Sequence, residues 1–517
     1  MSDTEAQAGP VLAADGTPLK RSLARALRMQ KLRALALIAP LLIFVLITFI
    51  APITDMLLRS VKNEIVVDVL PETVAQLQSW DVDSTAPPSE AVFSAFYIDM
   101  VLAEEQKLHT RLGTRLNYEK TGLSSLFRKT GRRVGRFDTD VYTDQIVALD
   151  PAWKEPATWA AMMADKADRG ALPLTARTWD RWADYLNSEG KDPAKTKVED
   201  FLFTALYLDL AAGNAKSVAD PRIAAAAAAA PGFETVDIRS QFAKADKDWL
   251  DPAVWQTIKI FSSRFTNGYF LNAVDLQKGP DGIEPRPESQ QIYLMLFKRT
   301  LFMSLVITGS CILLGYPVAW ILANLPSRTA NLLMILVLLP FWTSLLVRTS
   351  AWKVMLQQQG VINDVLVWLG IVDDAHRLVM INNQFGTIVA MTHILLPFMI
   401  LPLYSVMQTI PPSYLRAAKS LGATNWTAFW RVYFPQSVPG IGAGSILVFI
   451  LAIGYYITPE IVGGTTGTFI SNRIAYHISS SLNWGLGAAL GSILLGVVLL
   501  LYWIYDKIVG IDNVKLG

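Results

Sequence analysis

Six long stretches of this 517-residue chain carry no charged residue across their cores. A helix needs roughly 20 apolar residues to cross the hydrocarbon of a bilayer, which is about 30 Å thick. Charged side chains are costly in lipid, so their absence is typical of transmembrane helices. We therefore predict an all-α polytopic membrane protein with six transmembrane helices, near residues 34–54, 300–323, 329–347, 385–407, 437–459 and 486–505.

Composition supports this fold class, because 52% of the residues are hydrophobic and only 17% are charged. A soluble chain of this length would be less apolar. Several of the stretches contain proline, which membrane bundles tolerate and which often bends a span around a pathway. These prolines are Pro40, Pro317, Pro340, Pro397 and Pro439.

Cations beside the apolar stretches predict the orientation of the chain. Six Lys and Arg residues lie just before the first stretch, which favours a cytoplasmic amino terminus. Six crossings then return Lys507 to the same side. We predict a cytoplasmic tail at 1–33 with a basic amphipathic helix on the membrane surface, and an uncleaved first transmembrane helix at 34–60. The carboxyl terminus at 510–517 is then cytoplasmic as well.

A long polar segment, residues 61–292, separates the first and second stretches. It holds 34 acidic and 27 basic residues, whereas the rest of the chain holds 10 acidic and 19 basic residues. Its 232 residues are enough for a hydrophobic core of its own. We predict a mainly helical, extracytoplasmic inserted domain, with helices near Ala91–Leu108, Phe201–Ala212 and the alanine tract Ala224–Ala230.

The polar loop at 411–435, between the fourth and fifth stretches, has a distinctive pattern of small residues. Ala417 and Ala418 are followed four positions later by Gly422, which predicts a short helix with a smooth face. Pro435 is expected to break that helix before the next apolar stretch. The predicted topology puts the loop in the cytoplasm, and we predict that its helix docks into a groove on another protein.

The loop resembles the EAA loop of the membrane subunits of bacterial ATP-binding-cassette (ABC) importers. That pattern is Glu-Ala-Ala, three residues, Gly, nine residues, then Ile-x-Leu-Pro, and here Arg416 stands where the family usually has Glu. From about Tyr293 to Val509, the five-helix core resembles a spermidine/putrescine-type ABC permease. The further matching stretches are Leu314–Ala319, Pro340–Thr343, Val347–Trp352, Gly360–Asn363, Thr458–Gly464 and Trp484–Ala489.

This resemblance implies one permease half of an importer and a set of partners. These are an ABC ATPase subunit dimer, a second permease subunit and a periplasmic solute-binding protein. ATP and Mg²⁺ are used by the ATPase, so we expect this chain to bind no cofactor and to be no enzyme. Polyamines are the expected solute, with other small amines, opine-like compounds and metal chelates as alternatives. The basic tail suggests membrane lipids as partners, and no pattern indicates nucleic-acid binding.

The sequence contains no candidate site for a nucleotide or a metal ion. The Gly463–Gly467 run resembles a phosphate loop but lacks its Lys, and we interpret it as a flexible turn outside the membrane. The four histidines have no metal-ligand spacing, so we predict no metal site. They are His109, His376, His393 and His477.

Aromatic and charged residues near the outer ends of the spans are candidates for the translocation pathway or its outer gate. Glu460 follows Tyr455 and Tyr456, and an anion with aromatic faces is what an organic ammonium requires. An interfacial aromatic belt explains the same residues. His393 lies inside the fourth stretch, as a packed residue or a functional one. Trp342, Arg348 and Trp352 form either part of a gate, a dock for the binding protein or an interfacial anchor.

Two other classes of protein remain open at this point. A secondary transporter is also polytopic, but it usually shows paired inverted repeats and charged residues within its spans. A membrane-anchored sensor or scaffold would account for the inserted domain, but it would leave the cytoplasmic loop without a purpose.

Overall fold

The computed structural model describes residues 19–213, 215 and 220–509. This part of the chain is helical except for one antiparallel hairpin, in which Leu276–Gly279 pairs with Gly282–Pro285. It forms two compact units, which divide between Arg59 and Ser60.

The first unit is one continuous helical rod. Leu19–Val45 is α-helical, Leu46–Ile50 is a π-helical turn, and Ala51–Arg59 is α-helical again. No Gly or Pro interrupts the good helix formers before Pro40, which accounts for the continuous helix, and the division into an amphipathic helix within 1–33 and a span at 34–60 stays a prediction. The rest of the predicted tail, residues 1–18, lies outside the described residues, as does 510–517.

Five helices are long and apolar enough to cross a membrane: Leu27–Arg59, Tyr293–Asn324, Gln384–Gln408, Asn425–Gly454 and Trp484–Lys507. If a bent pair of helices counts as one span, the described residues hold up to six spans.

The predicted third span at 329–347 is that bent pair rather than a straight helix. Ser327–Trp342 and Leu345–Met355 meet at 92°. The first helix ends in a 3₁₀ turn that contains Pro340. Ser344 then starts the second, with its Oγ accepting a hydrogen bond from the Val347 N–H at 3.2 Å.

The second, fourth and fifth spans pack together to form the permease core. Gly440 and Gly444 allow the fifth span to approach the fourth closely. A Cβ at Gly440 would lie 3.2 Å from the Leu403 Cα, and one at Gly444 would lie 3.2 Å from the Met399 carbonyl oxygen. Cys311 is buried in this core. The helices of this part of the chain are Tyr293–Asn324, Ser327–Leu338, Leu345–Met355, Val361–Trp368, Gln384–Gln408, Pro412–Ser420, Asn425–Ala428, Phe434–Gly454, Ile457–Val462, Ile470–Ser479 and Trp484–Val509.

The inserted domain has its own hydrophobic core, which extends from Val66 to Phe261. Three Asp-Pro pairs start its short helices, because Asp150, Asp220 and Asp251 each cap a helix whose first residue is proline. Its helices are Ile65–Val69, Pro71–Leu77, Glu90–Glu105, Leu108–Leu116, Leu123–Val134, Asp140–Leu149, Pro156–Ala164, Lys166–Ala171, Pro173–Ser188, Asp200–Ala211, Pro221–Ala229, Ile238–Ala245, Pro252–Ile260 and Gly268–Ala273.

The last part of the domain packs directly against the spans. Asp275 has a left-handed backbone with φ 59°, and its carboxylate caps the second span. Oδ1 accepts hydrogen bonds from the N–H groups of Ile292 and Tyr293 at 3.0 Å, and Oδ2 accepts one from Leu294 at 2.8 Å. A smaller apolar cluster joins the domain to the second and last spans: Tyr269, Ala273, Tyr293, Leu486 and Leu490 are members.

Candidate functional site

The loop at 411–435 contains a short helix, Pro412–Ser420, that ends in a Schellman motif. The Ala423 N–H donates to the Ala418 carbonyl at 3.1 Å, and the Gly422 N–H donates to the Lys419 carbonyl at 3.0 Å. Gly422 has φ +87°, a conformation that favours glycine. Its role in the structure is therefore to end the helix, which the sequence prediction of a smooth face did not include.

The predicted break at Pro435 is wrong. The helix that starts at Asn425 passes through a π-helical turn at Phe429–Tyr433 and continues as Phe434–Gly454. Pro435 is the second residue of that last segment, where the π turn before it already shifts the backbone hydrogen bonds and accommodates the missing N–H. The break in the chain is at Gly422 instead.

The face of the loop that points away from the spans exposes large apolar side chains. Leu421 is 89% exposed and Trp426 is 71% exposed, and Trp426 stacks edge-on against the exposed Trp430 with ring centroids 5.6 Å apart. Arg416, Ala417 and Gly422 are exposed, and Ala418 is half-buried. On the other side, Leu415 and Phe429 pack against the permease core. The loop thus attaches through one face and presents the other to solvent.

The structure brings together four of the residues that the sequence analysis placed near the ends of the spans, namely Arg348, Trp352, His393 and Tyr455. The Trp352 Nε1–H donates to His393 Nδ1 at 3.1 Å, and the two rings meet edge-on. Arg348 lies one turn before Trp352 and close enough to His393 and Tyr455 for an electrostatic interaction with each. Trp342 is 74% exposed at the bend of the third span, and in the described chain it has no hydrogen bond or ring contact with this cluster.

Glu460 is held by a residue that the sequence reasoning missed. The Asn472 Nδ2 donates to Glu460 Oε2 at 2.6 Å and to the Tyr456 carbonyl at 2.9 Å. Ser471 Oγ donates to the Tyr455 carbonyl at 2.6 Å. Within its own helix, Asn472 accepts a hydrogen bond from the Phe469 N–H, which is a capping contact. A capping pattern in the sequence does not reveal that the same side chain also binds residues of another helix.

The glycine-rich turn Gly463–Gly467 is tightly packed rather than open. A Cβ at Gly464 would lie 2.5 Å from the Asn382 carbonyl oxygen. Thr387 Oγ1 donates to the Gly467 carbonyl at 3.1 Å. The turn therefore packs against the start of the fourth span. Across residues 19–213, 215 and 220–509, no group of three or more His, Cys, Asp or Glu side chains could hold a metal ion.

Five apolar helices long enough to cross a membrane, together with the bent pair, define a polytopic membrane protein. Residues 315–509 match the family described as binding-protein-dependent transport system inner membrane component. The chain is 37% identical over 215 residues to the spermidine/putrescine transport system permease protein PotB of Salmonella typhimurium (strain SL1344), covering 41% of this chain and 74% of that protein. The same protein of Escherichia coli (strain K12) is also 37% identical over 215 residues, covering 78% of its length. The chain therefore belongs to this family of ABC importer permeases.

One solved structure also overlaps this chain. It is the crystal structure of a bacterial alginate ABC transporter in complex with an alginate pentasaccharide-bound periplasmic protein. The match covers 44% of this chain and 80% of the transporter chain, at 21% identity and a TM-score of 0.35. The family membership confirms the resemblance predicted for residues 293–509, and it favours an importer over the secondary-transporter and sensor alternatives.

Proposed function

We propose that this chain is one permease half of an ATP-driven importer and that its solute is a polyamine or a related small amine. The observation that carries this proposal is the 37% identity to PotB over 215 residues, a length far beyond any single motif. A periplasmic solute-binding protein delivers the solute, and a second permease subunit completes the pathway. Alternating access between the two sides of the inner membrane then moves the solute inward.

The exposed loop is the proposed contact with the ATPase dimer. Leu421 and Trp426 expose apolar surface that a partner would bury, and buried aromatic residues contribute strongly to interfaces. Arg416 is exposed beside them, and we assign it to an acidic or polar patch of the ATPase. ATP and Mg²⁺ bind in that partner, and its conformational change reaches the permease core through Leu415 and Phe429.

The cluster around His393 is the proposed outer gate. Its aromatic members offer faces to a cation, but Arg348 places a positive charge beside them. A positive charge at this position opposes stable binding of an organic ammonium. The cluster is therefore assigned to gating. The hydrogen bond from Trp352 to His393 joins the third and fourth spans, and we assign it to one of the two states between which the transporter alternates.

The proposed orientation has both termini in the cytoplasm and the inserted domain in the periplasm. Labelling of single cysteines in a Cys311→Ser background tests it. Lys195→Cys, at a side chain that is 83% exposed, should react with an impermeant maleimide from outside intact spheroplasts. Asn425→Cys, exposed in the loop, should react only after permeabilisation. Labelling of both from the same side would reject the orientation.

Reconstitution tests the function itself. The chain is co-expressed with the proposed ATPase, second permease and binding-protein partners, and ATP-dependent uptake of radiolabelled putrescine and spermidine is measured in proteoliposomes. We expect the ATPase to copurify with this chain and both amines to accumulate. Copurification of the ATPase without uptake of either amine would reject the proposed solute but not the proposed role as an importer subunit. Loss of the ATPase during purification under mild detergent would contradict the proposed contact between the ATPase and the exposed loop.

A further inference from the structure

A cavity of about 500 Å³ lies between the inserted domain and the turn that leads into the last span. One wall comes from the start of the domain, near Asn63, and from the helix that carries Arg111 and Arg115. The facing wall is the turn at Ser481–Gly485. Neither the loop at 411–435 nor the cluster of Arg348, Trp352 and His393 contributes a residue to the wall of this cavity.

Arg115 places a buried cation in the wall of this cavity. Its side chain is 7% exposed, with Nε donating to the Tyr269 hydroxyl at 2.7 Å and Nη1 donating to Glu119 Oε1 at 2.6 Å. Burial acts to lower the pKa of Arg115, but Tyr269 and Glu119 outweigh it and raise the pKa, so the guanidinium stays charged. Its Nη2 is buried and has no hydrogen-bond partner within the described chain. A buried donor without an acceptor costs about 1–3 kcal/mol, so this group favours a ligand.

Asn483 presents a second donor from the opposite wall. It caps the last span, because its Oδ1 accepts a hydrogen bond from the Leu486 N–H at 3.2 Å. The residue is 8% exposed, and its Nδ2 is buried with no acceptor among residues 19–213, 215 and 220–509. Gly485 follows in the first helical turn, where a Cβ would lie 2.4 Å from the Tyr269 ring. The positive end of a long helix therefore reaches the cavity closely.

The charges and the remaining polar group specify the ligand further. Arg111 adds an exposed cation to the wall, whereas Lys62 lies 4.0 Å from the carboxylate of Glu64 and pairs with it. Asn63 donates through Nδ2 to the Phe261 and Ser263 carbonyls, and its Oδ1 is buried with no donor in the described part of the chain. The cavity thus suits an anion that also carries one hydroxyl.

We infer that this cavity binds a phosphate group beside a hydroxyl, with phosphate oxygens accepting from Arg115 Nη2 and Asn483 Nδ2 and the hydroxyl donating to Asn63 Oδ1. Two sources share this chemistry: the phosphoglycerol headgroup of an anionic phospholipid and free monohydrogen phosphate. Trp484 and Leu482 are exposed at the start of the last span, where a headgroup would meet the protein. This inference is independent of the transported solute.

The variant Asn483→Asp tests the inference with little change in shape. A carboxylate still accepts from the Leu486 N–H and is favourable at a helix amino terminus, but it replaces the Nδ2 donor with a negative charge. Repulsion at hydrogen-bond distance is expected to weaken phosphate binding by about tenfold or more. Asn383→Asp is the control for a carboxylate at a span cap, because Asn383 also caps a span through Oδ1, on the Gly386 N–H at 2.9 Å, and lies outside the cavity; it additionally loses its Nδ2 hydrogen bond to the Val379 carbonyl at 2.8 Å.

Two measurements on the full chain in dodecylmaltoside distinguish the sources. Native mass spectrometry compares retention of phosphatidylglycerol and phosphatidylcholine, and equilibrium dialysis measures binding of radiolabelled inorganic phosphate at constant ionic strength. Selective retention of phosphatidylglycerol that Asn483→Asp loses and Asn383→Asp keeps supports the lipid source, and the same pattern with inorganic phosphate supports the free anion. Equal behaviour of the wild type and Asn483→Asp, or no binding of either probe to the wild type, overturns the inference.

A second pair of variants keeps the test decisive if Asn483→Asp does not fold. Arg111→Gln removes an exposed cation from the cavity wall, and Arg132→Gln removes an exposed cation from the domain surface elsewhere. We expect roughly threefold weaker binding for Arg111→Gln only, since one partly screened charge is lost. Equal affinities of the two variants overturn the inference.

Discussion

Gly422 ends the loop helix in a backbone conformation that other side chains resist. A Cβ there would meet nothing within 4 Å, so a substitution acts only through the backbone or through a partner. We expect Gly422→Ala, which disfavours φ +87° by about 1 kcal/mol, to lower solute-stimulated ATP hydrolysis several-fold in the assembled transporter.

Gly422→Asn separates the two causes, because Asn tolerates the left-handed region but is larger. Activity near wild type for Gly422→Asn assigns the role to the backbone, whereas loss in both variants assigns it to close approach of the ATPase. Gly190, at φ +72° in the inserted domain, also has open space around it, and Gly190→Ala is the strain-matched control. Full activity of Gly422→Ala would contradict the prediction.

Asp99 is fully buried in the inserted domain and links stability to pH. It accepts hydrogen bonds from the Thr73 N–H and hydroxyl and from Arg181, but burial outweighs them and raises the pKa of Asp99 to about 6. Since this pKa is above the unfolded value of 3.8, its stabilising contribution is complete below pH 3.8 and is lost as pH rises through about 6. The contribution amounts to at most about 3 kcal/mol.

We therefore expect Asp99→Asn to flatten the dependence of unfolding free energy between pH 4 and pH 7, measured by thermal unfolding of the full chain in detergent. Comparison with the wild type is needed because burial lowers the pKa of His477 to about 4, which acts in the opposite direction. Asp83→Asn, at an exposed position, should leave the profile of the wild type unchanged. A parallel profile for Asp99→Asn would refute this linkage.

Sequence reasoning found part of the outer cluster at the level of single residues. Arg348 and Trp352 are predictable because a helical spacing of four puts them on one face. His393 is predictable because ionisable residues within spans are often functional. Asn472 was missed because its partners, Tyr456 and Glu460, come from a different helix, and only the fold brings these elements together.

At the scale of elements, apolar length predicted the spans well, but the local backbone was less predictable. Uncharged stretches located the five straight helices to within several residues in most cases, since lipid imposes length and composition together. Pro340 and Pro435 show the limit of local rules. One proline lies at a 92° bend, and the other is inside a continuous helix because a π turn precedes it. Proline removes a hydrogen bond in both, and packing decides the outcome.

The cap on the second span gives a prediction at this scale. Asp275 satisfies three N–H groups of that helix from a left-handed backbone, so Asp275→Ala loses both the cap and the preferred conformation. We expect it to cost about 2–3 kcal/mol and to lower the thermal midpoint of the purified chain by several degrees. Asp275→Asn keeps an acceptor and tolerates the conformation, so it should lose less than half as much. Equal midpoints for Asp275→Ala and the wild type would show that the cap is dispensable.

At the scale of the whole molecule, a hydrophobic core within residues 61–292 was predictable from the sequence, but the contacts of this segment with the spans were not. Charge balance separates residues 61–292 from the spans, and their apolar periodicity predicts helices. The contacts of this segment with the second and last spans include those of Tyr269 and Asp275, which no local pattern marks. Contacts between residues far apart in sequence depend on the final packing, and single-sequence patterns carry little information about them.

The structure also shows where this domain can be removed cleanly. The Asn63 N–H donates to the Arg264 carbonyl at 2.9 Å, and the Thr266 N–H donates to the Val61 carbonyl at 2.8 Å. The two ends of the domain are therefore adjacent. A short Gly/Ser linker from Asn63 to Arg264 would remove its core and keep both Tyr269 and the Asp275 cap.

We predict that this deletion lowers the stimulation of ATP hydrolysis by the loaded binding protein at least several-fold and leaves the basal rate unchanged. An importer must hold its binding protein over the outer mouth during turnover, and the domain would enlarge the surface for that contact. ATPase assays on the reconstituted transporter with and without loaded binding protein measure both rates. A domain that caps the mouth would instead give a higher basal rate on deletion, because the closed state loses its stabilising contacts. Unchanged basal and stimulated rates would reject both roles and leave the domain as an inert addition to the permease.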